Sequence, residues 1–254
     1  MRTIALTTRK GGSGKSTLAI GLAVAAMQDG ERVFLLETDR QGTISKWGER
    51  RATAEPGIEP IADESSLSRS LELLDTKGYT IAIIDTPAAD INATMAAVRV
   101  ADLCLLPARP SPVDIEATHP TLAVIRRLEK EFAFVLNQAP AGSYRPSKAA
   151  ATLNAIGVLA LPYIVQRTDH QDAIGAGLAV SEYAPSGKAA NEIRTLWAWV
   201  KDKLNEESLV IKQADAAADT PEINQDPFQS MAMSTLKLVC APWASWLRPK
   251  TDCQ

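Results

Sequence analysis

Apolar residues occur in short runs separated by longer amphipathic segments, and this alternation predicts the architecture. Six runs have the length and composition of buried strands, at residues 3–7, 32–38, 79–84, 101–107, 132–137 and 158–163. Apolar residues recur at helical spacing in residues 18–26, 63–78, 113–129, 146–156 and 188–204. Strands that alternate with helices indicate an α/β fold. We expect a doubly wound, mainly parallel sheet with helices on both faces.

The pattern changes after residue 205. Residues 214–227 are rich in Ala, Asp, Gln and Pro, a composition typical of a linker or disordered stretch. Residues 231–248 are apolar again and contain Trp243 and Trp246. We therefore predict a domain over residues 1–205, and an acidic linker with an apolar tail over residues 206–254. The tail is expected to dock on the core or to lack a fold.

The charge balance limits the class of partner. The chain has 254 residues, 46% of them hydrophobic, and a formal net charge of −3. Residues 206–254 carry four basic and seven acidic side chains, so residues 1–205 are neutral, with 23 of each. This balance excludes a wholly basic protein. Any nucleic-acid binding has to come from a local basic face.

Cysteine usage and the N-terminal sequence favour a cytoplasmic protein. The three cysteines, Cys104, Cys240 and Cys253, lack metal-binding spacing and do not suggest a disulfide scaffold. The chain starts directly with an apolar strand, without a pattern typical of a signal peptide. No apolar run approaches the roughly 20 residues that span a bilayer.

One stretch carries the clearest chemistry: Arg9-Lys10-Gly11-Gly12-Ser13-Gly14-Lys15-Ser16-Thr17, between the first predicted strand and helix. Backbone N–H groups of such a loop converge on one point, where the helix dipole adds positive potential. Lys15 is expected to reach the β- and γ-phosphates of a nucleotide, and the Ser16 hydroxyl to ligate Mg²⁺. The predicted phosphate site comprises Gly11, Gly12, Ser13, Gly14, Lys15, Ser16 and Thr17.

The loop departs from the common G-x-x-x-x-G-K-[ST] pattern, since Arg9 stands at the first glycine position. The sequence Lys-Gly-Gly-x-Gly-Lys-Ser-Thr resembles the deviant Walker A motif of the ParA/MinD superfamily of P-loop ATPases. The resemblance extends to about Leu204. Later motifs, including Gln166-Arg167 and Glu182-Tyr183-x-Pro185-x₂-Lys188, are similar to the ParA branch, which segregates plasmids or chromosomes or positions other cargo. The resemblance implies that ATP and Mg²⁺ are the cofactors and that ATP hydrolysis is slow and stimulated by a partner.

Two carboxylates follow predicted strands. Asp85 ends the strand of residues 79–84, at the edge where open α/β sheets bind ligands. It matches the Walker B aspartate, which binds Mg²⁺ through its water shell. Asp39 follows the second strand, in a segment that has the sequence Asp-x-Asp-Pro-Gln in most members of the resembling family. The resemblance implies that Asp39 orients or activates the attacking water and joins Ser16 and Asp85 at the metal.

The segment around Asp39 differs from the family pattern at two positions. Glu37 stands in place of the first aspartate and Arg40 in place of the proline. The carboxylate assigned to hydrolysis is retained. The departures bear on the stiffness of this loop and on the hydrolysis rate.

Lys10 is the second lysine of the loop, and in the resembling family it crosses a dimer interface to the partner's nucleotide. Two subunits bound face to face would sandwich two ATP molecules, and each Lys10 would neutralise phosphate charge in trans, as an arginine finger does. The resemblance therefore implies an ATP-dependent homodimer in which Lys10, Lys15 and Asp39 are catalytic. Lys10 then also counts among the nucleotide-binding residues.

Adenine recognition is expected from later loops. Asn137 ends the fifth predicted strand, and its amide can donate to and accept from a purine edge. A turn-forming role for this asparagine is the alternative. Pro162 lies at the end of the next predicted strand and is placed to wall the base.

Basic residues near the last predicted helix indicate a nucleic-acid surface. In the ParA branch, residues close to the positions of Arg167 and Lys188 hold DNA non-specifically, and Arg194, Lys201 and Lys203 would extend the stripe. Ordinary solvated helix charges are the alternative. The resemblance also implies a ParB-like or other cargo-adaptor protein and localisation at the nucleoid. His119 and His170 are too isolated for a metal pair, so surface roles are expected.

Three other functions occur on related folds. A MinD-like ATPase would bind membrane through an amphipathic C-terminal anchor, but the tail lacks a dense Lys/Arg face. Relatives of the nitrogenase iron protein need a cysteine pair, whereas Cys104 is alone in the predicted domain. Synthetase relatives would need a substrate pocket that the sequence does not reveal. The leading hypothesis is a ParA-like switch that binds DNA as an ATP-bound dimer.

Overall fold

The computed structural model describes the backbone of residues 1–218 and the side chains of residues 1–206. The chain divides into two units, Met1–Ile211 and Lys212–Gln254. The first unit contains the sheet and its helices. Of the second unit, residues 212–218 are described and are helical.

The centre of the first unit is a seven-stranded sheet in the order β3-β2-β4-β1-β5-β6-β7. All of its strand pairs are parallel. The strands are β1 (Arg2–Leu6), β2 (Val33–Glu37), β3 (Gly57–Pro60), β4 (Ile81–Asp85), β5 (Leu103–Ala108), β6 (Glu131–Leu136) and β7 (Leu159–Ala160). The predicted doubly wound parallel sheet is confirmed.

Ten helices in the described residues cover both faces of this sheet. They are α1 (Lys15–Gln28), α2 (Thr43–Arg50), α3 (Glu64–Thr76), α4 (Ile91–Val100), α5 (Pro112–Glu116), α6 (His119–Arg127), α7 (Arg145–Asn154), α8 (Asp169–Gly175), α9 (Val180–Tyr183) and α10 (Lys188–Ala218). Helices α1, α2, α8, α9 and α10 contribute to one core, and α3 to α7 to the other.

Alternate residues of each central strand supply the two cores. On β1, Ile4 and Leu6 face the α1 side, whereas Ala5 faces the α3 side. Side chains of successive strand residues point to opposite faces, so a strand buried on both faces is apolar throughout. This is why continuous apolar runs were sufficient to locate the central strands.

Several elements were not predicted. The strand β3 has four residues with Gly57 at one end and Pro60 at the other, so it carries little apolar pattern. It forms because it pairs with β2, where Phe34 is in register with Gly57. A Cβ on Gly57 would lie 2.3 Å from the Phe34 ring. The helices α2, α4, α8 and α9 were also missed.

Two predicted helix boundaries were wrong. Residues 113–129 form two helices, α5 and α6, because the ring of Pro120 is incompatible with the carbonyl of the preceding turn in one continuous helix. At the junction of the two helices, Oγ1 of Thr118 donates to the carbonyl of Ile115 at 2.6 Å. The helix α10 continues past the predicted end at residue 204 to Ala218.

The predicted domain boundary at residue 205 falls within α10 and stays a prediction. Residues 214–218 of the predicted linker are helical. The apolar segment 231–248 lies outside the described residues. Among the residues described, no helix combines the length and apolar character needed to cross a membrane.

Candidate nucleotide site

The glycine-rich loop connects β1 to α1, as predicted. Gly12 and Gly14 have left-handed backbone conformations, with φ of 72° and 89°. Gly14 is also crowded, since a Cβ there would lie 2.3 Å from Nδ2 of Asn137. A residue with a side chain at this position would therefore strain both the backbone and its neighbour.

Lys15 opens α1 with its side chain at the base of the loop. It is 7% exposed, and Nζ donates to the carbonyl of Thr8 at 3.2 Å. Burial lowers the pKa of Lys15, while the charges of Asp85 and Asp39 act to raise it. The predicted phosphate-binding ammonium thus lies close to both predicted carboxylates.

Asp85 ends β4 and is fully buried. Its Oδ2 accepts a hydrogen bond of 2.6 Å from Oγ of Ser16, so the phosphate loop meets the end of β4. Its Oδ1 is buried and has no hydrogen-bond partner in the described part of the chain. Burial raises the pKa of Asp85 to about 7, against the opposing effects of Ser16 and Lys15, and the charges of Glu37 and Asp39 raise it further.

The residues at Asp85 fit a divalent cation. A buried carboxylate oxygen without a partner is costly, and a cation next to it would relieve that cost. Oxygen ligands from a carboxylate and a hydroxyl suit Mg²⁺, which takes its remaining ligands from water and phosphate. No cluster of three or more His, Cys, Asp or Glu side chains in residues 1–206 offers a rival metal site.

Asp39 lies in the loop between β2 and α2, beside the Asp85 edge. The backbone N–H and Oγ1 of Thr38 both donate to the carbonyl of Asp85, at 3.0 and 2.9 Å. Oδ1 of Asp39 accepts from the backbone N–H of Gln41 at 3.0 Å. The structure therefore brings Asp39, Asp85, Lys15 and Ser16 to one edge of the sheet.

Lys10 lies near a different carboxylate of its own chain, Asp114. Burial opposes ionisation of Asp114, but hydrogen bonds from Arg109 and Ser111 and the charges of Arg109 and Lys10 hold its pKa below the ordinary value. The Arg109 bond, from Nε to Oδ1, is 2.8 Å. The action of Lys10 on a partner's nucleotide stays a prediction.

Asn137 and Pro162, the two residues predicted to contact adenine, differ in their position relative to a cavity beside α1. Nδ2 of the buried Asn137 donates to the carbonyl of Ser13 at 2.8 Å, so this side chain supports the loop. Beside the first turn of α1 is a cavity of about 120 Å³. Asn137 lines it and Pro162 does not. The role of both residues in base recognition stays a prediction.

The same cavity contains polar groups that sequence reasoning did not assign to the nucleotide. Its lining includes Thr17, Gln138, Arg167 and His170. Nε of Arg167 and Nε2 of His170 are buried and have no hydrogen-bond partner among the described residues. Burial also lowers the pKa of His170. The expected surface role of His170 is therefore wrong, and only its tertiary position reveals this.

The predicted basic stripe is partly neutralised within the chain. Arg167 pairs with Glu192 at 2.6 Å, and Lys201 with Asp29 at 2.6 Å. Lys203 pairs with Glu131 at 3.2 Å, and Nη2 of Arg194 donates to the carbonyl of Pro185 at 2.8 Å. Lys188 is exposed at the start of α10.

Comparison with known proteins agrees with this geometry. The family model "VirC1 protein" matches residues 1–156. The carboxysome distribution maintenance protein A of Gloeobacter kilaueensis is 32% identical over 208 residues, which cover 80% of this chain and 94% of that protein.

Two solved structures share the fold. The septum site-determining protein MinD of Pyrococcus horikoshii, complexed with Mg-ADP, aligns with a TM-score of 0.65 and 19% identity, over 78% of this chain and 95% of that one. A putative plasmid partition protein of Borrelia burgdorferi, bound to AMPPNP, aligns with a TM-score of 0.67 and 16% identity, over 80% and 99%. From its motif, its fold and these matches, the chain belongs to the VirC1 family, within the ParA/MinD superfamily of P-loop ATPases.

Proposed function

We propose that this protein is a ParA-like ATPase that positions or partitions cargo through an ATP-gated switch. The observation that carries the proposal is the buried Oδ1 of Asp85, which has no hydrogen-bond partner within residues 1–206 and lies next to the Ser16 hydroxyl and the Lys15 ammonium. Together they form a site suited to a nucleotide phosphate with Mg²⁺. The metal would neutralise charge on the phosphates as it develops during transfer.

The residues of the chain then have distinct roles. The loop N–H groups and Lys15 bind phosphate oxygens, and Ser16 and Asp85 hold the metal, Asp85 through its water shell. Asp39 orients the attacking water or accepts its proton. Asp39 lies at the same edge of the sheet, and its charge acts on both Asp85 and Lys15.

The cavity beside α1 is the proposed position of the nucleoside. The imidazole of His170 and the guanidinium of Arg167 each have a buried nitrogen with no partner in the described part of the chain, and these nitrogens offer hydrogen bonds to a base or ribose. Asn137 holds the loop in place next to this cavity. A nucleotide bound through its phosphates at Lys15 would extend towards His170.

The switch we propose works through dimerisation. Two ATP-bound copies pair through their loops, with each Lys10 reaching the partner's nucleotide, and the dimer binds nucleoid DNA non-specifically through Lys188, Arg194 and Arg167. A cargo-adaptor protein stimulates hydrolysis and releases the dimer. Proteins named for carboxysome distribution and plasmid partition support a positioning role.

Nucleotide turnover is the first test. Wild type is expected to hydrolyse ATP slowly and only with Mg²⁺, Lys15→Gln to lose nucleotide binding, and Asp39→Ala to bind ATP and accumulate as a dimer. Release of phosphate and light scattering measure these outcomes. A wild type that neither binds nor hydrolyses ATP would refute the proposed function.

DNA binding is the second test, by electrophoretic mobility with ATP, ADP or no nucleotide. Wild type is expected to bind DNA with ATP alone, and Asp39→Ala to stay bound. Lys188→Glu should dimerise but release DNA. Arg69→Glu, a change at another exposed position, on α3, should dimerise and keep DNA bound. Equal DNA binding in all nucleotide states would contradict the switch.

A further inference from the structure

The helix α2 begins without a cap of its own. Its N-cap residue, Gly42, is left-handed, with φ of 65°, and no side chain at that position bonds to the helix. The first N–H groups of a helix normally need an acceptor, usually a Ser, Thr, Asp or Asn side chain at the N-cap. In this protein the acceptor comes from outside the helix.

Glu37, the last residue of β2, supplies that acceptor. Its Oε1 accepts from the backbone N–H of Ile44 at 2.7 Å, and its Oε2 from that of Ser45 at 3.0 Å. Oε2 also accepts from the Ser45 hydroxyl. The carboxylate is thus bidentate on the second and third residues of the helix, and Glu37 is only 2% exposed.

The helix terminus favours this arrangement electrostatically. The N-terminal end of a helix has a positive potential that stabilises a carboxylate. Three donors in a buried setting satisfy most of the acceptor capacity of Glu37. A neutral amide in its place would leave at least one buried N–H without an acceptor, which is unfavourable.

These bonds fix one end of the loop that carries Asp39, residues 38–42. At the other end, Thr38 is tied to the carbonyl of Asp85 by its N–H and its hydroxyl. Inside the loop, the Gly42 N–H donates to the Asp39 carbonyl at 3.1 Å. Asp39 therefore lies in a short loop that is held at both ends and folded on itself.

We propose that Glu37 is a positioning residue for ATP hydrolysis, which acts by fixing the α2 end of the Asp39 loop. The inference rests on the proposed function, because it assigns to Asp39 the orientation of the attacking water. It gives a role to a departure from the family pattern, since glutamate is one methylene longer than the aspartate expected there. The longer side chain spans from the end of β2 to both N–H groups of α2.

Glu37→Gln tests this role, with Glu49→Gln as the matched control at the exposed end of α2. Affinity for a fluorescent ATP analogue is expected to stay within about twofold, since the phosphate loop is untouched. The kcat per bound nucleotide should fall about tenfold or more, as expected when a reacting group is displaced. Normalising to bound nucleotide removes any contribution from unfolded protein. Wild-type kcat in Glu37→Gln would overturn the inference.

A double variant separates positioning from an independent effect. If Glu37 acts through Asp39, then Glu37→Gln combined with Asp39→Ala should have the kcat of Asp39→Ala alone. Multiplied losses would overturn the inference.

The loop itself can be followed by amide hydrogen exchange. The amides of Ile44 and Ser45 should exchange faster in Glu37→Gln than in Glu49→Gln, and unchanged exchange would refute the contact. Should Glu37→Gln fold poorly, Ser45→Ala removes one donor and is expected to lower kcat about two- to fivefold; an unchanged kcat there counts against the proposal. Failure of the proposed function would appear instead as absent turnover in the wild type.

Discussion

At the scale of single residues, buried polar atoms without partners mark the site. In the described part of the chain they include Oγ1 of Thr7 and Thr8, Oγ of Ser13 and Oδ1 of Asp85, all at or beside the phosphate loop. Each such group costs about 1–3 kcal/mol if it stays unsatisfied. Their concentration at one edge of the sheet is explained by a polar ligand that completes their hydrogen bonding.

His170 gives a residue-scale prediction for the nucleoside cavity. His170→Phe keeps an aromatic ring but removes the ring nitrogens, Nε2 among them, so affinity for ATP should fall about three- to tenfold, as for one lost hydrogen bond. Affinity for tripolyphosphate, which lacks a base, should not change. Competition against a fluorescent nucleotide measures both. His119→Phe, at an exposed histidine, serves as the control, and equal effects on ATP and tripolyphosphate would contradict the assignment.

At the scale of elements, the strand–loop–helix unit depends on its neighbours as well as on its glycines. Asn137 and Gln138, from the end of β6, donate to the carbonyls of Ser13 and Gly12 at 2.8 and 2.9 Å. The loop is therefore supported by the end of β6, two strands away from β1 in the sheet, before any ligand binds. This support explains why Gly14 has no space for a side chain.

Gly14→Ala should accordingly disrupt the loop. The left-handed backbone alone costs a non-glycine residue about 1–2 kcal/mol, and the new Cβ would displace Asn137. We expect lower stability and strongly reduced ATP binding, measured by denaturant unfolding and nucleotide titration. Gly11→Ala is the comparison, since a Cβ there meets nothing within 4 Å. Equal losses in the two variants would show that crowding at Gly14 is unimportant.

An ion pair joins the end of α2 to α9. The Arg51 guanidinium donates to both oxygens of Glu182 at 2.8 and 2.7 Å. Burial opposes ionisation of Glu182, but hydrogen bonds from Arg51 and the Ala179 N–H hold its pKa below the ordinary 4.5. A carboxyl with a lowered folded-state pKa contributes stability above its unfolded pKa, and this is lost as the pH falls through the folded value.

Glu182→Gln should therefore lose about 2 kcal/mol of unfolding free energy at pH 7, as for charged hydrogen bonds. The difference from wild type should shrink as the pH falls below 4.5. Urea unfolding at a series of pH values tests this, with the exposed Glu72→Gln as control. A difference that stays constant down to pH 3 would show that the charge of Glu182 is not responsible.

At the scale of the whole molecule, α10 closes the core on the α1 side. Gly21 of α1 permits the approach, since a Cβ there would lie 3.3 Å from the Ile193 side chain. Trp197 is 3% exposed, and its Nε1 donates to Oδ2 of Asp29 at 3.0 Å. Helix α10, at the other end of the domain's sequence, thus holds α1 against the sheet.

Trp197→Ala should remove about 3–5 kcal/mol of stability, as expected for a large buried side chain. Trp199→Ala, two positions further along the same helix and only partly buried, should cost clearly less. Thermal and denaturant unfolding measure the two losses. A larger effect at Trp199 would contradict the packing of α10 described above.

The sequence by itself determined the central strands, the phosphate loop and the edge at which Asp39 and Asp85 meet. Continuous apolar runs identify strands buried on both faces, and parallel topology places their carboxyl ends together. These features are local, or follow from topology alone. Lys15, Ser16 and Asp85 could therefore be brought together before the structure was known.

The tertiary structure alone decided the contacts between residues far apart in the chain. It showed that Arg167 pairs with Glu192, that Asn137 supports the loop, and that His170 faces the cavity beside α1. It also located β3, which exists only by pairing with β2. No periodicity or spacing encodes such contacts, because they depend on how elements pack rather than on the propensity of any one segment. For the same reason, the sequence showed Glu37 only as a departure from a motif, and the fold placed it at the start of α2.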